Sequence, residues 1–326
     1  MIVTLTPNPS VDRTVEVEAL VRGAVSRADG GRVDPGGKGV NIAGALVAHG
    51  FEALAVLPSG GLEGIQLAEL LKGEGIPSVQ VPIAGSIRAN ISVVEPDGTV
   101  TKFNEPGPLL SPSEIEALIQ ATADAAAGAN WVVGCGSLPP GPADDFYALV
   151  IDRLGSSDTR VAIDTSGPAL LKSLSAGPDI IKPNLEELSE AANLEISKLA
   201  DALTAARALQ DQGVTTVIAS LGLDGALYVD ESVALHAEAA VTNPRSAVGA
   251  GDALLAGFLA HGGQGGDAFA HGVAWAAAAV SLPGSRTPGP GDVDLSIVRV
   301  HDHIEGERVL STRQVGRGEG TDSKRR

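Results

Sequence analysis

Short apolar runs alternate with helical patterns along most of this chain of 326 residues. The runs lie at residues 2–6, 53–57, 78–81, 131–133, 161–163, 179–181 and 216–219, and helical patterns at 63–73, 111–127, 143–154, 168–176 and 198–212 separate most of them. Parallel strands need crossover connections, which are usually helices. The alternation therefore predicts an α/β protein with a mainly parallel sheet that helices cover on both faces.

Two β-rich segments, residues 13–33 and 86–104, interrupt this alternation. In the second segment, two β-like runs flank the turn signal Pro96-Asp97-Gly98. We expect the two segments to form a small β lid across one end of the main sheet. The sequence thus predicts one domain over residues 1–304, followed by a polar, disordered tail from 305 to 326.

Composition limits the classes of partner. The formal net charge of −17 argues against nucleic acid or an anionic membrane as a partner, although a local basic pocket can still bind a small anion. The one cysteine, Cys135, excludes an intramolecular disulfide and suits a reducing compartment. No apolar run reaches the roughly 20 residues that span a bilayer, and the N-terminus lacks a signal-peptide pattern. We therefore expect a cytoplasmic protein.

Residues 246–252 read Ser-Ala-Val-Gly-Ala-Gly-Asp and precede an apolar helical run. Backbone N–H groups at a helix start attract anions, and glycines let a ligand approach them closely. A carboxylate in the same corner, here Asp252, suits a general base beside a phosphoryl group in transfer. An ordinary turn with an Asp N-cap would give the same local pattern.

A second glycine cluster, Pro-Gly-Gly-Lys-Gly at residues 35–39, opens a helix that carries Asn41. It is not a P-loop, because Gly39 follows Lys38 and Arg32 stands where the first glycine is required. The dinucleotide fingerprint is also absent at residues 134–139, where Pro139 replaces the third glycine.

Polar and glycine residues cluster where strands end or helices begin. They are Asp12, residues 36–41, Gly136 and Ser137, residues 182–184, residues 220–222 and residues 249–252. In a parallel sheet these positions share one edge, where open α/β sheets bind ligands. Glycine turns, helix starts, a lysine and a few carboxylates and amides together suit phosphoryl transfer.

With these motifs in this order, the chain resembles the ribokinase-like (PfkB) carbohydrate kinases over roughly residues 1–300. Residues 249–252 and 35–43 resemble the two signatures of that family, and residues 184–187 resemble its N-x-x-E element. Residues 8–12, 35–39, 103–104, 136–141 and 182–184 resemble its hexose-phosphate branch, which holds 1-phosphofructokinase, tagatose-6-phosphate kinase and the minor 6-phosphofructokinase. The resemblance implies a three-layer α/β sandwich with a β lid.

The resemblance also implies roles on the phosphoryl side of the site. Asp252 would be the base, and the N–H groups of Gly249, Ala250 and Gly251 would form the anion hole. Asn184 and Glu187 would position Mg²⁺ through water, and a solvated helix carboxylate is the alternative for Glu187. ATP would meet Lys182, Ser220, Gly222, Ser246 and Val248. Residues 279–284 lack the asparagine often found near the adenine, which leaves adenine contacts and strict ATP preference open. The sequence does not determine whether the protein also requires K⁺.

On the sugar side, the resemblance implies that Asp12 and Asn41 hold hydroxyls with the backbone of Gly36 and Gly37. Further substrate-binding positions are Asn104, Ser137, Arg88, which would hold the existing phosphate, and Arg27, which could serve across a dimer. Lys38 stands where the minor 6-phosphofructokinase type carries glycine, so the chain looks closer to 1-phosphofructokinase and tagatose-6-phosphate kinase.

These resemblances predict transfer of the ATP γ-phosphoryl group to a ketohexose phosphate, with fructose 1-phosphate converted to fructose 1,6-bisphosphate as the first expectation. Tagatose-6-phosphate kinase or 6-phosphofructokinase activity is the alternative within the class. A non-catalytic sugar-phosphate sensor is the alternative outside it. Exposed lid edges commonly pair between subunits, so a homodimer through the lid is expected.

Overall fold

The computed structural model of the protein describes residues 1–155, 158–284 and 286–311. Its strands are β1 (Ile2–Leu5), β2 (Ser10–Glu16), β3 (Gly30–Gly36), β4 (Ala53–Ser59), β5 (Ser78–Pro82), β6 (Arg88–Val94), β7 (Val100–Asn104), β8 (Trp131–Cys135), β9 (Arg160–Asp164), β10 (Ile180–Ile181), β11 (Thr216–Ser220), β12 (Ala226–Val229), β13 (Ala234–Ala239) and β14 (Val298–His301). Its α-helices are α1 (Lys38–Ala48), α2 (Gly61–Gly73), α3 (Pro112–Ala125), α4 (Phe146–Leu154), α5 (Gly167–Leu174), α6 (Leu185–Ala192), α7 (Leu199–Gln210), α8 (Ala250–Ala260) and α9 (Gly265–Val280). Short 3-10 turns lie at Gly222–Asp224, Pro290–Asp292 and Leu295–Ile297.

The large sheet has ten strands in the order β14-β13-β12-β11-β10-β9-β8-β1-β4-β5. Strands β5, β4, β1, β8, β9, β10 and β11 run parallel to one another. The last three strands, β12, β13 and β14, are antiparallel and extend one edge. The predicted α/β fold with a mainly parallel sheet is confirmed.

Helices cover both faces of this sheet, and each face has its own apolar core. Neighbouring strand residues alternate between the two cores, as Val132 and Val133 do on β8. One core receives α1, α2, α8 and α9, whereas the other receives α3 to α7. Because α1 and α8 share a face, their N-terminal ends can meet at the same sheet edge. Among the described residues, no helix has the length and apolar character needed to span a membrane.

A separate four-stranded sheet, in the order β3-β2-β6-β7, corresponds to the expected lid. Its strands extend beyond the predicted segments 13–33 and 86–104, because β2 starts at Ser10 and β3 ends at Gly36. Asp12, expected in a turn after the first strand, therefore lies within β2. The lid strands β2 and β3 lead directly to the residues expected to bind sugar.

The C-terminal part of the described chain is packed. The expected tail begins at 305, but Leu310 is buried and its N–H donates to the Ser197 carbonyl at 2.9 Å. Residues 305–311 thus continue the folded domain past the predicted boundary at 304. Residues 312–326 lie outside the described part of the chain.

Candidate active site

Asp252 lies in the first turn of α8, close to the first turn of α1. Gly249 precedes that helix with φ +78°, a left-handed conformation that glycine adopts without strain. The Asp252 side chain is buried, and the Asn41 Nδ2 donates to its Oδ2 at 2.7 Å. The helix begins at Ala250, before the apolar run, so the Asp252 carboxylate lies inside its first turn.

The surroundings of Asp252 change its acidity. Burial raises its pKa from 3.8 to about 6, and the negative charge of Asp164 acts in the same direction. The hydrogen bond from Asn41 and the charges of Lys38 and Lys182 oppose this rise. A carboxylate with a pKa near 6 is ionised at neutral pH and can still accept a proton, as a general base requires.

Two lysines meet on one buried carboxylate. The Lys38 Nζ lies 2.6 Å from Asp164 Oδ1, and the Lys182 Nζ lies 3.1 Å from its Oδ2. Burial by itself would raise the pKa of Asp164, but the two ammonium groups outweigh it and lower that pKa. Burial would likewise lower the pKa of Lys38, yet Asp164 and Glu187 raise it. Asp164 and Lys38 therefore both stay charged at neutral pH.

The Lys182 ammonium lies beside the start of α8. A Cβ on Gly251 would stand 2.9 Å from Lys182 Nζ, closer than real Cβ atoms approach a neighbour. The absence of a side chain at Gly251 thus lets the ammonium and the helix N-terminus face the same space. Their combined positive potential can stabilise the charge of a phosphoryl group in transfer.

On the sugar side, neighbouring lid strands orient Asp12. Its Oδ1 accepts hydrogen bonds from Ser10 Oγ at 2.6 Å and from Asn90 Nδ2 at 2.9 Å. Gly36 lies so close that a Cβ there would be 2.5 Å from the Asp12 carboxylate. The Asp12 Oδ2, which accepts no hydrogen bond from the described residues, can therefore accept one from a ligand in a fixed orientation.

Arg88 begins β6, in register with Ser10 of β2. Its Nη1 donates to the Glu105 carbonyl at 3.2 Å, whereas its buried Nε has no hydrogen-bond partner among the described residues. Burial lowers the pKa of this guanidinium, against the opposing charges of Asp12 and Glu105. A half-buried cation with unused donors can take an anion.

Asn184 and Glu187 form a capping box at the start of α6. The Asn184 N–H donates to Glu187 Oε2 at 2.9 Å, and the Glu187 N–H donates to Asn184 Oδ1 at 2.8 Å. The second carboxylate oxygen, Glu187 Oε1, lies 3.9 Å from Lys38 Nζ. Oxygen ligands suit Mg²⁺. Because Asn184 Oδ1 and Glu187 Oε2 already accept hydrogen bonds within the capping box, they fit a Mg²⁺ ion held through water better than one bound directly.

The residues expected on the nucleotide side share this sheet edge. Ser220 pairs with Asn184 in a parallel bridge, and Gly222 opens the following turn with φ +65°. The Ser246 Oγ accepts the Val248 N–H at 3.2 Å, which fixes the loop before α8.

Three predicted substrate residues are exposed and less constrained. Arg27 lies in the loop between β2 and β3, Asn104 ends β7 and Ser137 follows β8. No side-chain contact among the described residues ties Arg27 to the groups above, so its expected role across a dimer stays a prediction.

Sequence reasoning missed Asp164 and Asn90. Asp164 is the last residue of β9 and so ends at the same edge as the predicted site residues, a signal that was available. Asn90 lies opposite Asp12 in the lid register, which only the pairing of β2 with β6 reveals.

The chain is similar to known proteins over most of its length. The sequence model of the pfkB family of carbohydrate kinases matches residues 6–291. A 1-phosphofructokinase of Rhodobacter capsulatus is 38% identical over 261 residues, which cover 79% of this chain and 82% of that protein. The ATP-dependent 6-phosphofructokinase isozyme 2 of Mycobacterium tuberculosis is 37% identical over 257 residues, which cover 78% and 76% respectively.

The crystal structure of phosphofructokinase-2 from Escherichia coli in complex with potassium superposes with a TM-score of 0.85 at 32% identity. The match covers 89% of this chain and 96% of that one. Sequence and structure therefore place the chain among proteins with the same fold.

Proposed function

The chain belongs to the pfkB family of carbohydrate kinases, a family of phosphotransferases that use ATP, and we propose that it phosphorylates fructose 1-phosphate to fructose 1,6-bisphosphate. Kinase activity on a sugar phosphate follows from the relatives of this chain. The choice of fructose 1-phosphate and the roles of individual residues are proposals. The observation that carries them is Asp252, which is buried, bonded to Asn41 and placed beside Gly251 and Lys182.

The proposed step is a direct in-line transfer. The C6 hydroxyl oxygen of the sugar attacks the γ-phosphorus while the bond from that phosphorus to the β–γ bridging oxygen breaks, and ADP leaves. Asp252 takes the hydroxyl proton, as its pKa of about 6 permits. The N–H groups of Gly249, Ala250 and Gly251, with Lys182, stabilise the charge on the transferred group.

The sugar is oriented from the lid. Asp12 and Asn41 hold hydroxyls, and Arg88 binds the phosphate that the substrate already carries. The unused donors of Arg88 support an anionic substrate over free fructose.

Asn184 and Glu187 would hold Mg²⁺ through water, and the ion would reduce the charge on the ATP phosphates. A K⁺ dependence is proposed from similarity to phosphofructokinase-2 of Escherichia coli, whose crystal holds potassium.

Coupled ADP release with a panel of sugars tests the substrate. We expect the highest kcat/KM with fructose 1-phosphate, then fructose 6-phosphate and tagatose 6-phosphate, and very little with fructose. Equal or greater efficiency on fructose 6-phosphate would overturn the assignment in favour of the activity named for the Mycobacterium relative. Binding of sugar phosphates without turnover would favour a sensor.

The lid also supports a homodimer. Val33, Ile91 and Phe103 lie in one cross-strand row of the lid sheet and are 37%, 39% and 55% exposed. Pairing of two such rows would bury them and could bring Arg27 to the partner's site. We expect Phe103→Asp to shift the sedimentation coefficient from dimer to monomer, whereas Leu149→Asp, at an exposed position on α4, leaves it unchanged.

A further inference from the structure

The last described segment, residues 298–311, crosses the outside of the large sheet, and we name it the C-terminal strap. It pairs with β13 through β14 and then passes the start of α7. There the Leu199 N–H donates to the Arg308 carbonyl at 2.9 Å. The strap ends at Ser311, against the turn that follows β11.

That turn is Gly222–Asp224, and its last residue is held from outside. The Asp224 carboxylate is buried, and its Oδ2 accepts the Ser311 N–H at 2.6 Å. Its Oδ1 lies 3.5 Å from the Arg308 guanidinium, and its carbonyl oxygen bonds His236 Nε2 at 2.7 Å. Two of these three partners belong to the strap, and the third belongs to β13.

Arg308 is in turn fixed by Glu238, also on β13. Its Nη1 donates to Glu238 Oε2 at 2.8 Å, and this bond raises the pKa of the guanidinium. Glu238 also lies 3.5 Å from His301 of the strap. The strap and β13 therefore present a preformed cation to Asp224.

Backbone contacts connect this turn to the neighbouring strands. The Ser220 N–H donates to the Pro183 carbonyl at 3.0 Å, and the Leu221 N–H donates to the Gly225 carbonyl at 2.8 Å. A Cβ on Gly225 would lie 2.0 Å from the Ala237 carbonyl oxygen, so the backbone there packs directly on β13. Inside the turn, the Asp224 N–H donates to the Leu221 carbonyl and the Gly225 N–H donates to the Gly222 carbonyl, each at 3.3 Å, so a displacement of Asp224 is transmitted to the Gly222 backbone.

We propose that Asp224 and Arg308 are positioning residues for the nucleotide: the C-terminal strap sets ATP affinity by holding the turn that presents Gly222. This inference rests on the proposed function, which assigns Ser220 and Gly222 to ATP. Neither Asp224 nor Arg308 needs to touch the nucleotide.

The effect is confined to ATP. The groups assigned to the sugar lie on the lid, on α1 and in the segment after β8, the base lies on α8, and none of the contacts described for Asp224 or Arg308 involves these elements. Loss of the anchor should therefore raise the KM for ATP while the KM for the sugar phosphate and kcat change little. A general loss of folding would not raise the KM for ATP alone, because it would affect the sugar site and kcat as well.

The experiment compares the full-length wild type with Asp224→Ala, Arg308→Ala, Arg308→Lys and the control Arg299→Ala. Arg299 is an exposed cation on the same strap. Steady-state kinetics give both KM values, and calorimetric titration with MgADP gives nucleotide affinity without turnover. We expect MgADP affinity to fall about tenfold in Asp224→Ala and about threefold in Arg308→Ala, with partial recovery in Arg308→Lys and no change in Arg299→Ala.

The inference is overturned if the wild type binds MgADP and both alanine variants bind it within about twofold of that affinity. It is also overturned if both KM values rise equally. Should Asp224→Ala fail to fold, Arg308→Ala decides alone. A further variant, Gly222→Val, distinguishes failure of the strap proposal from failure of the proposed nucleotide site. Unchanged MgADP affinity in this variant refutes the assignment of Gly222 to ATP, and hence the proposed nucleotide site itself.

Discussion

The hydrogen bond from Asn41 Nδ2 to Asp252 Oδ2, 2.7 Å long, joins the first turns of α1 and α8. It links the glycine cluster proposed to face the sugar to the helix start proposed to face the transferred phosphate. Because it stabilises the ionised carboxylate, it sets both the orientation and the acidity of the proposed base.

Replacement of the base should remove the chemistry and spare binding. We expect Asp252→Asn to lower kcat by about 10³-fold, since general base catalysis contributes on this scale, while both KM values stay within about threefold. Coupled ADP release with fructose 1-phosphate measures the rates. A loss below about tenfold would show that Asp252 is not the base.

Removal of Asn41 should change the pH dependence. The proposed base works ionised, so kcat/KM for the sugar phosphate should rise with pH and level off above about 6, where Asp252 has lost its proton. The bond from Asn41 lowers the Asp252 pKa, so Asn41→Ala should move this acid limb to higher pH. Asn90→Ala is the control: Asn90 holds Asp12, and its loss should raise the KM without moving the limb.

The same buried carboxylate should limit stability. Its pKa is higher in the folded protein, about 6, than the ordinary 3.8, so ionisation opposes folding as pH rises through this window. At about pH 7.5 we therefore expect Asp252→Asn to raise the free energy of unfolding by on the order of 2 kcal/mol. The gain should shrink as pH falls towards 4, and urea unfolding at several pH values measures it. An equal gain at all pH values would contradict the explanation.

The order of the elements and the sheet edge that holds the candidate site could be predicted from the sequence, because buried parallel strands and the glycines after them leave local patterns. The C-terminal strap could not be predicted. Strand β14 pairs at the sheet edge, and its exposed residues Arg299 and Val300 give no apolar run. Residues 305–311 have a polar composition, and only the docking of Leu310 and Arg308 makes them part of the fold.

The electrostatics of the site were equally hidden. Asp164 ends a strand like several other polar residues, and nothing local indicates that Lys38 and Lys182 converge on it. Asp12 seemed to follow a strand because Pro7 and Pro9 interrupt the chain, whereas Ser10 already begins the lid strand that carries it.

Asp164 should be important for folding. Its lowered pKa means that its ionised form stabilises the protein above its ordinary pKa of 3.8 and that this stability is lost as pH falls. Asp164→Ala leaves Lys38 and Lys182 without their shared counter-charge, so we expect a loss of about 3–5 kcal/mol near neutral pH. Urea unfolding measures it, and the exposed Asp144→Ala should change the free energy by less than about 0.5 kcal/mol. Similar losses in Asp164→Ala and Asp144→Ala would contradict the view that Asp164 neutralises the charges of Lys38 and Lys182.

Arg88 should decide how strongly the enzyme prefers a phosphorylated sugar. The guanidinium is half-buried, its Nε has no partner among the described residues, and its one bond goes to a backbone carbonyl. A substrate phosphate would supply the missing anion, and a charge-assisted bidentate contact is among the stronger polar interactions.

We therefore expect Arg88→Ala to raise the KM for fructose 1-phosphate by about 10²-fold, which corresponds to about 2.7 kcal/mol, and to leave the KM for ATP unchanged. The weak activity on unphosphorylated fructose should not fall, because that sugar has no anion for Arg88 to bind. Lys72→Ala is the control, because Lys72 is an exposed cation in the last turn of α2. If Arg88→Ala lowers activity on fructose as much as on fructose 1-phosphate, Arg88 supports the lid and does not bind the phosphate.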